Sequence, residues 1–206
     1  GFGCVIPAGV VWRRDAPGDH MILYPPPEPP RAPRPYRMGV YRDALRIFRN
    51  NLNYIGNIRA LRAWYVQVRA PFMQGLYHQP CWEGALRQLD AVQAERLKKL
   101  KEFVGKLAQS MELLKKDGSE AALREGLLQT RLVASWPHVA NMLDRAAEGA
   151  GAAHRETVMA AMAGHGAMAY LKWVAGLSPE VRQAGTAWLQ AIVDETVAAH
   201  RTAEGE

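Results

Sequence analysis

The chain has 206 residues, of which 49% are hydrophobic, and it carries a formal net charge of +6. This composition suits one or two domains with a packed core, and the absence of an apolar run near the roughly 18–20 residues that span a bilayer argues against a membrane partner. Two cysteines are too few for a disulfide framework or a four-cysteine metal site, so we expect a cytoplasmic protein.

Residues 1–18 are predicted to form the terminal coil of a repeat array. Val5 and Val11 are six residues apart, and Gly3 and Gly9 have the same spacing. A triangular coil points an apolar residue inward on each face and places small residues at its corners, where glycine tolerates a positive φ. The alternative is a short strand or hairpin that caps a helical domain. If the prediction of a terminal coil is correct, we expect the chain to be the C-terminal fragment of a longer protein.

Residues 1–15 read GFGCVIPAGVVWRRD, and Pro17 and Gly18 follow where the chain would leave the coil. This segment resembles the closing coil of hexapeptide-repeat, left-handed β-helix proteins, a family with acyltransferases and sugar-1-phosphate nucleotidyltransferases of the UDP-N-acetylglucosamine pyrophosphorylase type. Residues 50–61 read NNLNYIGNIRAL and resemble the C-terminal part of bacterial uridyltransferase-like proteins. The resemblance implies a preceding β-helix domain as a partner, and acetyl-CoA or UTP with Mg for the parent enzyme. No residue here matches the family's catalytic positions.

A proline-rich linker is predicted at residues 19–39. Seven prolines occur between residues 25 and 35. Because proline fixes φ and donates no backbone hydrogen bond, this segment favours an extended polyproline-like spacer. The linker separates the coil from a helical domain predicted over residues 40–206.

Residues 40–206 have apolar residues at helical spacing and no βαβ alternation. This pattern predicts a mainly α fold, an antiparallel bundle of five or six helices. Ser119 and Ser178 are predicted N-caps, and Gly149 and Gly151 are predicted to open a turn. The predicted helices span residues 41–69, 82–116, 119–148 with a break or kink at Pro137, 154–163, 167–175 and 179–200.

Four polar residues of the first predicted helix, Arg46, Asn50, Asn53 and Asn57, follow one another at spacings of four, three and four and therefore share one stripe. Asparagine is a mediocre helix former because its amide competes for backbone hydrogen bonds. We therefore predict that the asparagines pack against protein and form a partner-binding surface, either a seam between helices, the β-helix core or a second subunit of a homo-oligomer. A solvated face is the alternative.

The positive charge is concentrated in the first part of the chain. Residues 1–80 contain eleven Arg and four acidic residues, a balance of +7, whereas the rest contains fifteen Lys or Arg and sixteen acidic residues, a balance of −1. Such a field attracts phosphates or acidic protein surfaces, although Arg-rich faces that contact only solvent give the same pattern. We predict Arg59, Arg62 and Arg69 as candidate anion-binding residues and do not expect a nucleic-acid partner.

No motif for catalysis is present in the sequence. It contains no P-loop, no HExxH zinc motif and no GxSxG nucleophile turn, so we expect no catalytic residue, metal or cofactor in this chain. Two functions remain. The first is an accessory helical domain that serves oligomerisation or regulation of a β-helix transferase. The second is a helical interaction module that binds an anionic or protein partner through its Arg-rich first helix.

Overall fold

Six α-helices make up most of the part of the chain that the structure describes. The computed structural model describes residues 4–8, 10–12, 22–24, 36–145, 149–164 and 169–199. The chain divides into two compact units, Gly1–Arg37 and Met38–Glu206, and the second is called the helical unit below. The prediction of a mainly α fold is confirmed. The helices are α1 Ala44–Trp64, α2 His78–Asp117, α3 Glu120–Asp144, α4 Ala152–Ala163, α5 Tyr170–Ala175 and α6 Pro179–Ala198.

The described residues of the first unit contain a single parallel β-bridge, between Val5 and Ile22, where the amide of Leu23 donates to the carbonyl of Val5 at 2.9 Å. Val5 and Val11, expected to point inward, are 57% and 66% exposed. That expectation is wrong because one bridge forms no sheet whose face could enclose the two side chains. The coil itself stays a prediction, since residues 1–3, 9 and 13–21 lie outside the described residues, as does the proline run at 25–35.

The C-terminal end of α1 departs from a regular helix. A π-helical turn, Tyr65–Arg69, follows α1 within the predicted range of 41–69, and a 3-10 turn, Ala70–Phe72, lies just beyond it. A π-turn carries one extra residue between hydrogen-bonded groups and disturbs the regular ladder of the helix. The carbonyl of Tyr65 accepts a hydrogen bond from the indole Nε1 of Trp82 in α2 at 2.9 Å. This bond ties the irregular end of α1 to the first turns of α2.

Most predicted helix boundaries lie within four residues of the observed ones. Both serine N-caps are confirmed, because the hydroxyl oxygens of Ser119 and Ser178 each accept a backbone N–H at 3.3 Å. Gly149 and Gly151 have positive φ angles of 96° and 63°, which confirms the predicted turn before α4. Of the break or kink predicted at Pro137, the break does not occur, because α3 continues through this residue; the buried residues beyond it pack into the core and hold the helix together. A kink at Pro137 stays a prediction.

The helical unit contains two hydrophobic clusters, and α1 contributes to both. The N-terminal half of α1 packs against α2 and α3, with Phe48 and Leu52 fully buried. The C-terminal half and the π-turn pack against α4, α5 and α6 around Trp188. Between the two, α1 meets α6 at Gly56, where a Cβ atom would lie 3.0 Å from the Cα of Val193. None of the described helices combines the length and the apolar composition that crossing a bilayer requires.

The N-terminus of α1 is anchored by side chains of α2 and α3. The amide of Ala44 donates to the carboxylate of Glu125 at 3.1 Å, and the buried amide of Gln129 donates to the carbonyl of Tyr41 at 2.6 Å. The amide of Tyr41 donates to the hydroxyl of Ser110 at 2.9 Å. Because the residue before α1 makes no side-chain cap, these bonds replace the usual N-cap. They fix the start of α1 and, through it, the arginines at its other end.

Candidate anion-binding cleft

A cleft of about 660 Å³ opens beside the C-terminal half of α1, and parts of α2, α3, α4 and α6 complete its walls. The described lining residues carry four positive and two negative charges, a net charge of +2. Alanine, valine and isoleucine side chains form apolar parts of the wall, and two glutamine amides add hydrogen-bonding groups. The charged lining residues are Arg59, Arg62, Asp90, Asp144, Arg145 and Arg155, and the others used below are Ala63, Val66, Gln67, Gln93, Ala150, Ala152, Trp188 and Ile192.

Arg59 holds the C-terminus of α3. Its guanidinium donates to the carbonyl of Leu143 at 2.7 Å and to the carbonyl of Arg145. The last carbonyls of a helix lack intrahelical donors and carry a partial negative charge, so a cation is well placed here. Burial lowers the pKa of Arg59 from its ordinary value, while the carboxylates of Glu195 and Asp144 raise it. Arg59 therefore builds the floor of the cleft rather than offering a free cation.

Arg62 links α1 to α2 at the rim of the cleft. Its Nε donates to Oδ1 of Asp90 at 2.6 Å, and its Nη2 lies 3.4 Å from Oδ2 of the same carboxylate. Both side chains are about half exposed, at 43% and 53%, and exposed ion pairs of this kind contribute only about 0–1 kcal/mol. A guanidinium has five N–H donors, so this pair leaves donors of Arg62 for a ligand.

Arg69 does not join Arg59 and Arg62 in the cleft. Its guanidinium carbon lies 4.7 Å from the ring centroid of Tyr65 and 4.6 Å from that of Tyr170, distances typical of cation–π contacts. It also donates to the hydroxyl of Tyr65 at 2.9 Å. These contacts place Arg69 in the aromatic packing between the π-turn and α5, and they account for its position without a ligand.

Arg145 and Arg155 are the cleft cations that the sequence did not single out. Arg145 directly follows α3, and Arg155 lies half-buried in α4, four residues after Gly151. Within the described part of the chain, neither guanidinium makes a hydrogen bond or an ion pair. The one available sequence signal was their position on either side of the predicted glycine turn.

The stripe of Arg46, Asn50, Asn53 and Asn57 is exposed along its whole length. The amide of Asn57 donates to the backbone carbonyl of Asn53 at 2.8 Å, within α1 itself. The prediction that the asparagines form a buried seam with another helix of this chain is wrong, because α1 buries a different, apolar side. Binding of a separate partner by this stripe stays a prediction.

Replacing Asn53 with Ala is therefore expected to leave the stability of the chain unchanged or raise it by a few tenths of a kcal/mol, because alanine is the better helix former on an exposed face. Chemical denaturation of Asn53→Ala and of the equally exposed Asn50→Ala measures this effect. A loss of 1 kcal/mol or more, of the size expected when a buried polar partner is left unsatisfied, would contradict the exposed position.

The described residues contain no group of three or more His, Cys, Asp or Glu side chains placed to hold a metal ion. Among known proteins, the chain matches no family model, no curated protein and no solved structure. The resemblance to β-helix transferases, with its implied acetyl-CoA or UTP and Mg, therefore stays a prediction, as does a homo-oligomeric state.

Proposed function

We propose that the helical unit is a non-catalytic binding module for a small anionic ligand and that the cleft is its binding site. The observation that supports this proposal most directly is the pair Arg145 and Arg155, which line the cleft together with Arg62 and whose guanidinium groups make no hydrogen bond or ion pair with the described residues. Guanidinium groups form strong, charge-assisted hydrogen bonds with carboxylate and phosphate oxygens. The proposed site develops the prediction of an interaction module that binds an anion through its first helix. Besides Arg62 of α1, it uses Arg145, which follows α3, and Arg155 of α4.

The cleft also provides the surroundings that anion binding requires. Two opposite charges at about 4 Å attract each other by about 1 kcal/mol in water but by about 4 kcal/mol in the lower dielectric near a protein surface. Arg155 is only partly exposed, so its interaction with a bound anion is less screened than that of a fully solvated arginine. Arg59 fixes the end of α3 and thereby the position of Arg145.

Replacing Arg155 with Met is expected to weaken anion binding about tenfold or more, because it removes about 1.4 kcal/mol or more of charge-assisted hydrogen bonding while keeping a long unbranched side chain. Isothermal titration calorimetry of the full chain with citrate, inorganic phosphate and sulfate, at about 0.15 M ionic strength, measures the change.

The matched control is Arg124→Gln, which removes an exposed arginine of α3 whose ion pair among the described residues is with Glu120 of its own helix. This variant is expected to bind the anions as the parent chain does. The proposal is wrong if none of the three anions binds more tightly than about 10 mM, which corresponds to less than about 3 kcal/mol, or if the two variants lose the same affinity.

A further inference from the structure

We infer that the ligand of the cleft is an organic phosphate monoester bound as its dianion, with the phosphate held by Arg145 and Arg155 and the organic group against the apolar wall. This inference rests on the proposed function. Its first support is charge, because the described lining residues carry a net charge of +2. A phosphate monoester carries about −1.5 to −2 at neutral pH, whereas a sulfate ester or a simple carboxylate carries only one negative charge.

The start of α4 adds backbone donors on the same side of the cleft. Ala150 and Ala152 line the cleft, and the N-cap residue Gly151 has no side chain to accept from the first N–H groups of the helix. The N–H of Ala152 already donates to the carbonyl of Gly149 at 3.1 Å, so the donors left for a ligand are those of Ala153 and His154. Helix N-termini favour phosphate groups because these N–H groups are unsatisfied and the helix dipole is positive there. The helix start supplements the two arginines, which remain the principal contacts.

The remaining walls suit an organic group larger than the phosphate. The volume of about 660 Å³ lies within the range of about 300–1,000 Å³ that is typical of sites for small molecules. Ala63 and Val66 provide apolar surface, and the amides of Gln67 and Gln93 add donors and acceptors for hydroxyl or carbonyl groups.

The same features disfavour a nucleic acid as the ligand. Proteins that bind nucleic acid through its backbone commonly neutralise about 6–10 phosphates, far more than a net charge of +2 provides. Single-stranded nucleic acids also stack their bases on exposed aromatic rings. Trp188, the aromatic residue among those that line the cleft, is 1% exposed and its ring is not accessible for stacking.

The decisive experiment compares phenyl phosphate with phenyl sulfate, two esters of similar shape that differ in charge. At about pH 7.5 we expect the full chain to bind phenyl phosphate about tenfold more tightly, as measured by calorimetry. At about pH 5.0, below the second phosphate pKa of about 6, the phosphate also carries one charge, and we expect the ratio to fall to about threefold or less. The fixed charge of the sulfate ester makes it an internal control for protonation of the protein.

The protein groups that face the ligand and affect both esters alike are Arg59 and Arg62 of α1, Asp90 of α2 and Asp144 of α3. Arg145→Met and Arg155→Met are each expected to reduce the phosphate-to-sulfate ratio, whereas Arg124→Gln is expected to preserve it.

Equal affinities for the two esters at about pH 7.5, together with sulfate binding that Arg155→Met weakens, would overturn the inference and leave the proposed function standing. Absence of binding by both esters and by citrate would overturn both. A single-stranded RNA that competes with phenyl phosphate and binds more tightly would also overturn the inference in favour of a nucleic-acid surface.

Discussion

Replacing Gly56 with Ala is expected to destabilise the helical unit by about 1–3 kcal/mol, the usual cost of inserting a methyl group into a tightly packed interface. The new Cβ would lie 3.0 Å from the Cα of Val193, 3.2 Å from its carbonyl oxygen and 3.3 Å from the Cβ of Thr196. Two of these atoms belong to the backbone of α6 and cannot move by changing a rotamer. Helices α1 and α6 would therefore have to separate, which loosens the packing around Trp188. The free energy of unfolding from urea denaturation measures the effect.

Gly105 provides a matched control in the middle of α2. A Cβ at this position meets no atom within 4 Å, so Gly105→Ala gains helix propensity without a clash. We expect this variant to be more stable than the parent chain by about 0.5–1 kcal/mol. If Gly56→Ala were stabilising to the same degree, the close approach of α1 and α6 would be incorrect.

Replacing Arg59 with Met is expected to destabilise the helical unit by about 2–3 kcal/mol. The substitution removes a charged donor from two helix-end carbonyls, and hydrogen bonds to charged groups contribute about 1.5–3 kcal/mol each. The carbonyl of Leu143, a buried residue, would lose its 2.7 Å bond from Arg59. The unfolding free energy again reports the loss.

Arg62→Met is the matched control for Arg59, because it lies one turn further along α1 and pairs with an exposed carboxylate. Its expected cost is about 0–1 kcal/mol. Equal losses for the two variants would indicate that Arg59 does not cap α3 and that the two arginines have similar surroundings. Comparing the losses of unfolding free energy for the two variants therefore distinguishes Arg59, which holds the end of α3, from Arg62, which lies at the rim of the cleft.

The sequence predicted the helices well because helix signals are local. Apolar composition and spacing, together with glycine, proline and cap signals, identified the six described helices, and the serine caps at Ser119 and Ser178 are each determined by residues within one turn. The predicted start of α2 at residue 82 is four residues late, because proline usually interrupts a helix, whereas Pro80 lies in the first turn, where proline is tolerated. The start of α1 depends on Glu125 and Gln129, which lie on another helix, and no local pattern reveals such an anchor.

The cleft was only partly predictable because its residues meet through tertiary packing. The sequence grouped Arg59, Arg62 and Arg69 because positive charge is concentrated in the first part of the chain, and in a regular α-helix Arg62 and Arg69, seven residues apart, would share one face. The π-turn at Tyr65–Arg69 changes this register, and Arg69 packs between tyrosine rings instead. Arg145 and Arg155 come from beyond α3, more than eighty residues along the chain from Arg59, and join it only through the fold.

The position of α1 in both hydrophobic clusters has a consequence for local unfolding. Proteins open in cooperative segments whose free energies depend on the contacts that each opening breaks. An opening that releases α5 breaks contacts around Trp173 in the second cluster only, whereas an opening that releases α1 removes Phe48 and Leu52 from the first cluster and Ala60 from the second. Helix α1 thus belongs to the last part of the helical unit to open, and the arginines it carries retain their arrangement while shorter segments fluctuate.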